Sequence, residues 1–202
     1  MRDRKTIVFD VDDVFWPLNR HVARIAGVDY EKIVTYIAKE NPLLDEAQRQ
    51  RLHDAYQTPG LHADMDFYPD AKGFGNIARD PRTDPWIISN SIGQDVVDNK
   101  IRNLRRFLGP DYGLFNTIYH VITMDESGRK KFPEGIHILV DDSPLNAAAS
   151  GAGHILMPKR PWNTSEYGIR ALGPAVSRVT WYDDPADACR IILEILDRRD
   201  AP

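Results

Sequence analysis

The sequence predicts an α/β protein with a Rossmann-like, doubly wound parallel sheet and a small helical cap inserted after the first strand. Three observations carry this. Short apolar runs rich in β-branched residues end in polar clusters, helical periodicity fills most intervals between them, and one interval after the first run holds helical pattern alone.

The runs are Thr6 to Phe9, Trp86 to Ile88, Ile118 to Ile122 and Ile136 to Val140, with a further strand from His154 to Met157. Each has the length and composition of a buried strand whose carboxyl end carries polar residues. Val96, Val97, Ile101, Leu104 and Leu108 share one face of a helix that Gly109-Pro110 ends, and a last helix runs from Pro185 to Asp197. Strands alternating with such helices form a parallel sheet covered on both faces, and ligands of such sheets lie beyond the strands' carboxyl ends. From Leu18 to Met65 the pattern is helical, at His21–Ala26, Tyr30–Lys39 and Asp45–Tyr56. The expected organisation is a core of residues 1–17 and 66–202 with a cap of residues 18–65.

Composition narrows the function. A chain of 202 residues supports one sizeable core and a small accessory lobe. Its net charge of −4 gives no basic surface for a nucleic-acid polymer. Cys189 is the single cysteine, which excludes an intrachain disulfide, and it reads as inert packing on an apolar helix face. No apolar stretch approaches the length of a membrane span, so the expected setting is the cytoplasm.

The chemistry-bearing residues sit at the strand tips. In Ile7-Val8-Phe9-Asp10-Val11-Asp12, an extended backbone would point Asp10 and Asp12 to the same side. Two carboxylates so close suit either a proton donor beside a nucleophile or a divalent cation. A second acidic pair, Asp141-Asp142, follows another apolar run. Hard oxygen donors of this kind suit Mg²⁺, whereas zinc would call for His or Cys, and the six histidines stand singly. Ser89 and Asn90 lie at the end of a middle strand, and Lys130 or Lys131 precedes the last acidic strand. A cation, an ammonium and a hydroxyl are what a phosphoryl group in transfer requires.

This ordered set resembles the haloacid dehalogenase superfamily of aspartate-nucleophile phosphatases, over the whole chain. The resemblance implies an aspartyl-phosphate formed on Asp10, with Asp12 as general acid and then base. It implies Ser89 and Asn90 as phosphate-binding residues and Mg²⁺ held by Asp10, Asp141, Asp142 and the backbone carbonyl of Asp12. Lys131 is the expected lysine of the site, because ten residues separate it from Asp141.

Within that superfamily the chain is most similar to the 5′(3′)-deoxyribonucleotidases, through Val14, the short cap, Phe67-Tyr68-Pro69-Asp70 and Arg160-Pro161-Trp162-Asn163. That likeness implies a (deoxy)nucleoside monophosphate as substrate, with Phe15 and Trp16 as candidates to stack its base, and allows a homodimer. Asp13 departs from the pattern, standing where Gly is common, and Ser89-Asn90-Ser91 replaces the more usual Thr-Ser-Pro. Another small phosphomonoester such as a sugar phosphate is the alternative substrate. A receiver-like or catalytically silent phospho-binding domain is the remote one, since here an acidic pair follows the lysine and a cap interrupts the first crossover.

Overall fold

Ile7, Val8 and Phe9 are fully buried on both faces of the first strand, which only the middle of a two-sided parallel sheet explains. In the computed structural model, which describes residues 4–63, 65–122 and 130–198, that strand is β1 (Lys5–Phe9). The other strands are β2 (Thr83–Ile92), β3 (Asn116–Ile122), β4 (Ile136–Val140), β5 (His154–Pro158) and β6 (Val179–Tyr182). They form one sheet in the order β3-β2-β1-β4-β5-β6, and every pairing is parallel. The order reverses between β1 and β4, so a crevice opens beyond their carboxyl ends. Asp10 follows β1 and Asp141 follows β4 at that crevice, and the Asp10 N–H donates to the Val140 carbonyl at 2.8 Å.

Helices cover the sheet: α3 (Gly73–Arg79), α4 (Gln94–Leu108), α5 (Pro144–Ala149), α6 (Pro161–Thr164), α7 (Glu166–Leu172) and α8 (Pro185–Asp197). In α4 the buried residues Val97, Lys100, Leu104 and Leu108 recur at the spacing of one helix face. Below α3 and the β1 tip, Phe9 packs on Phe74 with ring centroids 4.9 Å apart, and Phe15 packs on Phe74 at 5.1 Å.

Between Leu18 and Tyr56 lie the helices α1 (Leu18–Ala26) and α2 (Glu46–Tyr56), with no strand among the described residues. Gly27 ends α1 in the left-handed conformation, and Asp45 caps α2 through a reciprocal pair of bonds with Gln48. Arg51 Nε ties the two helices by donating to the Ala26 carbonyl at 2.9 Å. The helix expected over Tyr30–Lys39 is instead two single 3-10 turns, Tyr30–Lys32 and Ala38–Glu40. The β-branched run Ile33-Val34-Thr35 disfavours a continuous helix, and Thr35 Oγ1 bonds the Ile37 carbonyl at 2.8 Å in a competing local contact.

The bounds of one strand also differ from the sequence reading. Strand β2 continues past Ser89 to Ile92, because Asn90, Ser91 and Ile92 still pair with His120, Val121 and Ile122. Strand β6 and helices α6 and α7 had no separate expectation. Among the described residues no helix is long and apolar enough to cross a membrane.

Candidate active site

The tips of β1 and β4 bring three carboxylates together. One oxygen each from Asp10, Asp141 and Asp142 lies within 4.8 Å of the others, and all three residues are buried. Asp141 is fixed in place: its Oδ1 accepts the Ser143 N–H at 2.8 Å and its carboxylate is 3.3 Å from Asn146 Nδ2. Asp10 Oδ1 accepts the N–H of Val11 at 2.6 Å.

The ammonium in this cluster belongs to Lys130. Its Nζ lies 2.7 Å from Asp10 and 2.8 Å from Asp141, and its side chain is buried. Lys131, the expected residue, is exposed instead. The two lysines face opposite ways, Lys130 buried and Lys131 exposed, so only Lys130 enters the site.

The charges of the cluster are unequal. Burial pushes the Asp10 carboxyl up to about 6, Lys130 opposes that, and Asp141 and Asp12 add to it. Burial, followed by the neighbouring Asp13, Asp10 and Asp141, drives Asp142 well above the usual carboxylate range. Burial disfavours the charged form of Lys130, but Asp10 and Asp141 outweigh it and raise its pKa. Three buried carboxylates facing one ammonium leave a deficit of positive charge. A hard divalent cation bound by oxygen fits this donor set, and Mg²⁺ is the simplest match.

The carboxylate of Asp12 lies outside this triad and faces a second ammonium. Lys100 Nζ donates to Asp12 Oδ2 at 2.5 Å, to the Asn90 carbonyl at 2.7 Å and to Ser89 Oγ at 3.0 Å. The other oxygen of Asp12 accepts Trp16 Nε1 at 2.8 Å, with His62 Nε2 at 3.6 Å. Burial opposes ionisation of Asp12, yet Lys100 and then His62 hold its pKa below the ordinary value. Lys100 was missed at the sequence level. The available signal was a lysine on the apolar stripe of α4, three residues after Val97 and four before Leu104.

Phe15 and Trp16 take no part in a ligand-facing surface. Both have 0% exposure, Phe15 between Phe9 and Phe74, and Trp16 edge-on to Phe67 at 5.0 Å. They are core residues, with no face left on which a base could stack. Asn163 is likewise internal: it closes its turn through the Arg160 N–H and donates to the carbonyls of Pro158 and Asp142.

Asp13, where Gly is common, occupies the left-handed region with φ 57°. Asp is among the few residues that tolerate this. Its side chain is fully buried, with Oδ2 accepting the Asn19 N–H at 3.1 Å and Oδ1 without a partner among the described residues. Burial lifts this carboxyl to about 7, against the opposing pull of Arg160. Arg160 bridges the β1 loop to the returning chain, donating to the Asp13 carbonyl and to Tyr68 Oη, each at 2.9 Å.

No protein-family model matches the chain, and no curated protein matches it in sequence. Solved structures do. A predicted phosphoglycolate phosphatase from Haemophilus somnus 129pt superposes with a TM-score of 0.56 at 15% identity, over 95% of this chain and 99% of that one. A provisionally named beta-phosphoglucomutase from Bacteroides vulgatus gives 0.55 at 12% identity, over 97% and 91%. A haloacid dehalogenase-like family hydrolase from Xanthomonas campestris gives 0.53 at 14% identity, over 96% and 97%. The fold is therefore that of the haloacid dehalogenase-like hydrolases.

Proposed function

We propose that the chain is a Mg²⁺-dependent phosphomonoesterase acting on a small phosphate ester through an aspartyl-phosphate. The observation that carries this reading is the buried triad of Asp10, Asp141 and Asp142 with the Lys130 ammonium 2.7 Å from Asp10.

In this scheme Asp12, held ionised in the resting site, takes up the proton that the phosphate monoester monoanion brings; an Asp10 oxygen attacks phosphorus and the ester oxygen departs with that proton from Asp12. Water then attacks the phosphoryl group on Asp10, gives a proton to Asp12 and releases phosphate. Asp10 needs to be ionised, and with its carboxyl pushed up to about 6 it is mostly so at neutral pH. Lys130 offsets negative charge on the phosphoryl oxygens beside Asp10 and Asp141. Ser89 holds a phosphate oxygen through its hydroxyl. A divalent cation would be held by Asp10, Asp141 and Asp142 and would supply charge neutralisation at the phosphoryl oxygens.

For substrate, a sugar phosphate or comparable small organic phosphate is favoured over a nucleoside monophosphate. The burial of Phe15 and Trp16 removes the stacking surface proposed for a base. Two structural neighbours carry names that refer to phosphoglycolate and phosphoglucose chemistry. Residues 18–65, with α1 and α2, would act as the cap, joined to the core where Ser165 Oγ donates to the Val34 carbonyl at 2.7 Å.

The test is a screen of purified protein with Mg²⁺ against sugar phosphates, phosphoglycolate and nucleoside monophosphates, followed by phosphate release. Turnover of the small organic phosphates above the nucleotides is expected. Turnover confined to nucleotides would overturn the substrate assignment, and no turnover of any ester would overturn the enzyme.

A further inference from the structure

We infer that Lys100 is a positioning residue that sets both the phosphate-binding hydroxyl of Ser89 and the proton-carrying carboxylate of Asp12; this rests on the phosphomonoesterase reading above.

An ammonium has three protons to donate and accepts none. Lys100 spends them on three acceptors, Asp12 Oδ2, Asn90 O and Ser89 Oγ, at 2.5, 2.7 and 3.0 Å. Its side chain is 1% exposed, so water does not compete for these bonds. A lysine is rarely buried unless it is paired, and this one sits where the spacing of α4 would otherwise place an apolar residue.

The consequence for Ser89 follows from donor bookkeeping. Its oxygen accepts from Lys100, so its own proton must point elsewhere. That proton points to the Asn90 carbonyl in a long 3.4 Å bond, to an acceptor that Lys100 already engages at 2.7 Å. An incoming phosphate oxygen, a stronger acceptor, would take the hydroxyl proton over from it. For Asp12, Lys100 fixes one oxygen while Trp16 Nε1 fixes the other, so the carboxylate keeps one orientation. Asn103, one turn further along α4, donates to the His62 carbonyl, which binds the helix to the chain beside Asp12. One side chain on a core helix thus aligns a group within β2 and a group beyond the end of β1.

A group that acts only through Asp12 and Ser89 becomes dispensable once both are removed, whereas a residue that merely supports the fold does not. The experiment compares Lys100→Met in the wild-type background with Lys100→Met in an Asp12→Asn, Ser89→Ala background. The readout is kcat/KM for p-nitrophenyl phosphate, whose phenolate leaves without a proton, and for an alkyl phosphate in the wild-type background. The expected result is a loss of about 100-fold on the alkyl ester, a smaller loss on the aryl ester, and a change below about 3-fold on the aryl ester in the doubly substituted background. Equal losses on both esters, or an undiminished loss in that background, would overturn the inference while leaving the enzyme assignment intact. A wild type inactive on every ester would overturn both. Should Lys100→Met not fold, Lys100→Gln, which keeps a hydrogen-bond donor, is measured in its place with the same expectations.

Discussion

The Lys130 ammonium lies 2.7 Å from the Asp10 carboxylate, at the centre of the crevice between β1 and β4. The neighbouring Lys131 points to solvent. Lys130→Met should remove turnover and cost stability of about 3–5 kcal/mol, because it leaves buried carboxylates without their partner. Lys131→Ala should change stability by less than about 0.5 kcal/mol and leave kcat unchanged. Denaturant titration and steady-state kinetics on the two variants check both halves.

Divalent cation should stabilise the protein, and more so at neutral than at acid pH. From about pH 4 up through 6, the unfolded chain gives up a proton that folded Asp10 keeps, since burial has raised its pKa. Stability of the cation-free chain therefore falls as pH rises through that window, and Asp142 adds to the fall. Asp12, whose pKa is lowered, is ionised in both states there and does not contribute to the slope. Thermal melts in EDTA should show a lower midpoint near pH 7.5 than near pH 5.5. Saturating Mg²⁺ should contribute about 2–3 kcal/mol at 100-fold excess over Kd, with the larger gain at the higher pH.

Asp13 offers a second pH test. Its buried carboxyl is pushed up to about 7, so from about pH 4 to 7 the ordinary Asp of the unfolded chain ionises first and stability declines. Asp13→Asn keeps an acceptor for the Asn19 N–H and tolerates the left-handed backbone. The variant should melt above the wild type by a margin that widens from pH 5 to pH 8. A margin constant across that range would show that the carboxyl titrates normally.

Phe15 is a core residue, not a base platform. Phe15→Leu should lower stability by about 1–3 kcal/mol through lost packing against Phe9 and Phe74. The ratio of kcat/KM between a nucleoside monophosphate and a sugar phosphate should stay where it was. A selective loss on the nucleotide would restore Phe15 to the substrate site.

The strands with simple apolar runs, β1, β4 and β5, were legible in the sequence, as were α4 and α8, because burial on two faces or one writes a period into the residues. Strand β6, Val-Thr-Trp-Tyr, is a four-residue edge strand with mixed exposure, and such a run carries little pattern. The strand tips pointed to Asp10, Asp12, Asp141 and Asp142 together, but the turn after β1 carries the Asp12 carboxylate to Lys100, and only the other three lie side by side. The choice between Lys130 and Lys131 was not, since spacing places both near the site and only the backbone direction selects one. Lys100 stayed hidden because a lysine on a helix is ordinarily a solvated residue. Its burial becomes visible only once Asp12 and Ser89 are seen to face α4. Phe15 and Trp16 adjoin the nucleophile in sequence, but adjacency along a turn says nothing about which way a ring points.

In the proposed reaction Asp10 carries the phosphoryl group. The direct measurement is acid quench during turnover with Mg²⁺ and substrate, borohydride reduction, and peptide mass spectrometry across residues 5–20. Conversion of Asp10 to homoserine, absent without substrate and absent in Asp10→Asn, is the predicted result. Steady turnover with reduction at another carboxylate, or at none, would contradict the account.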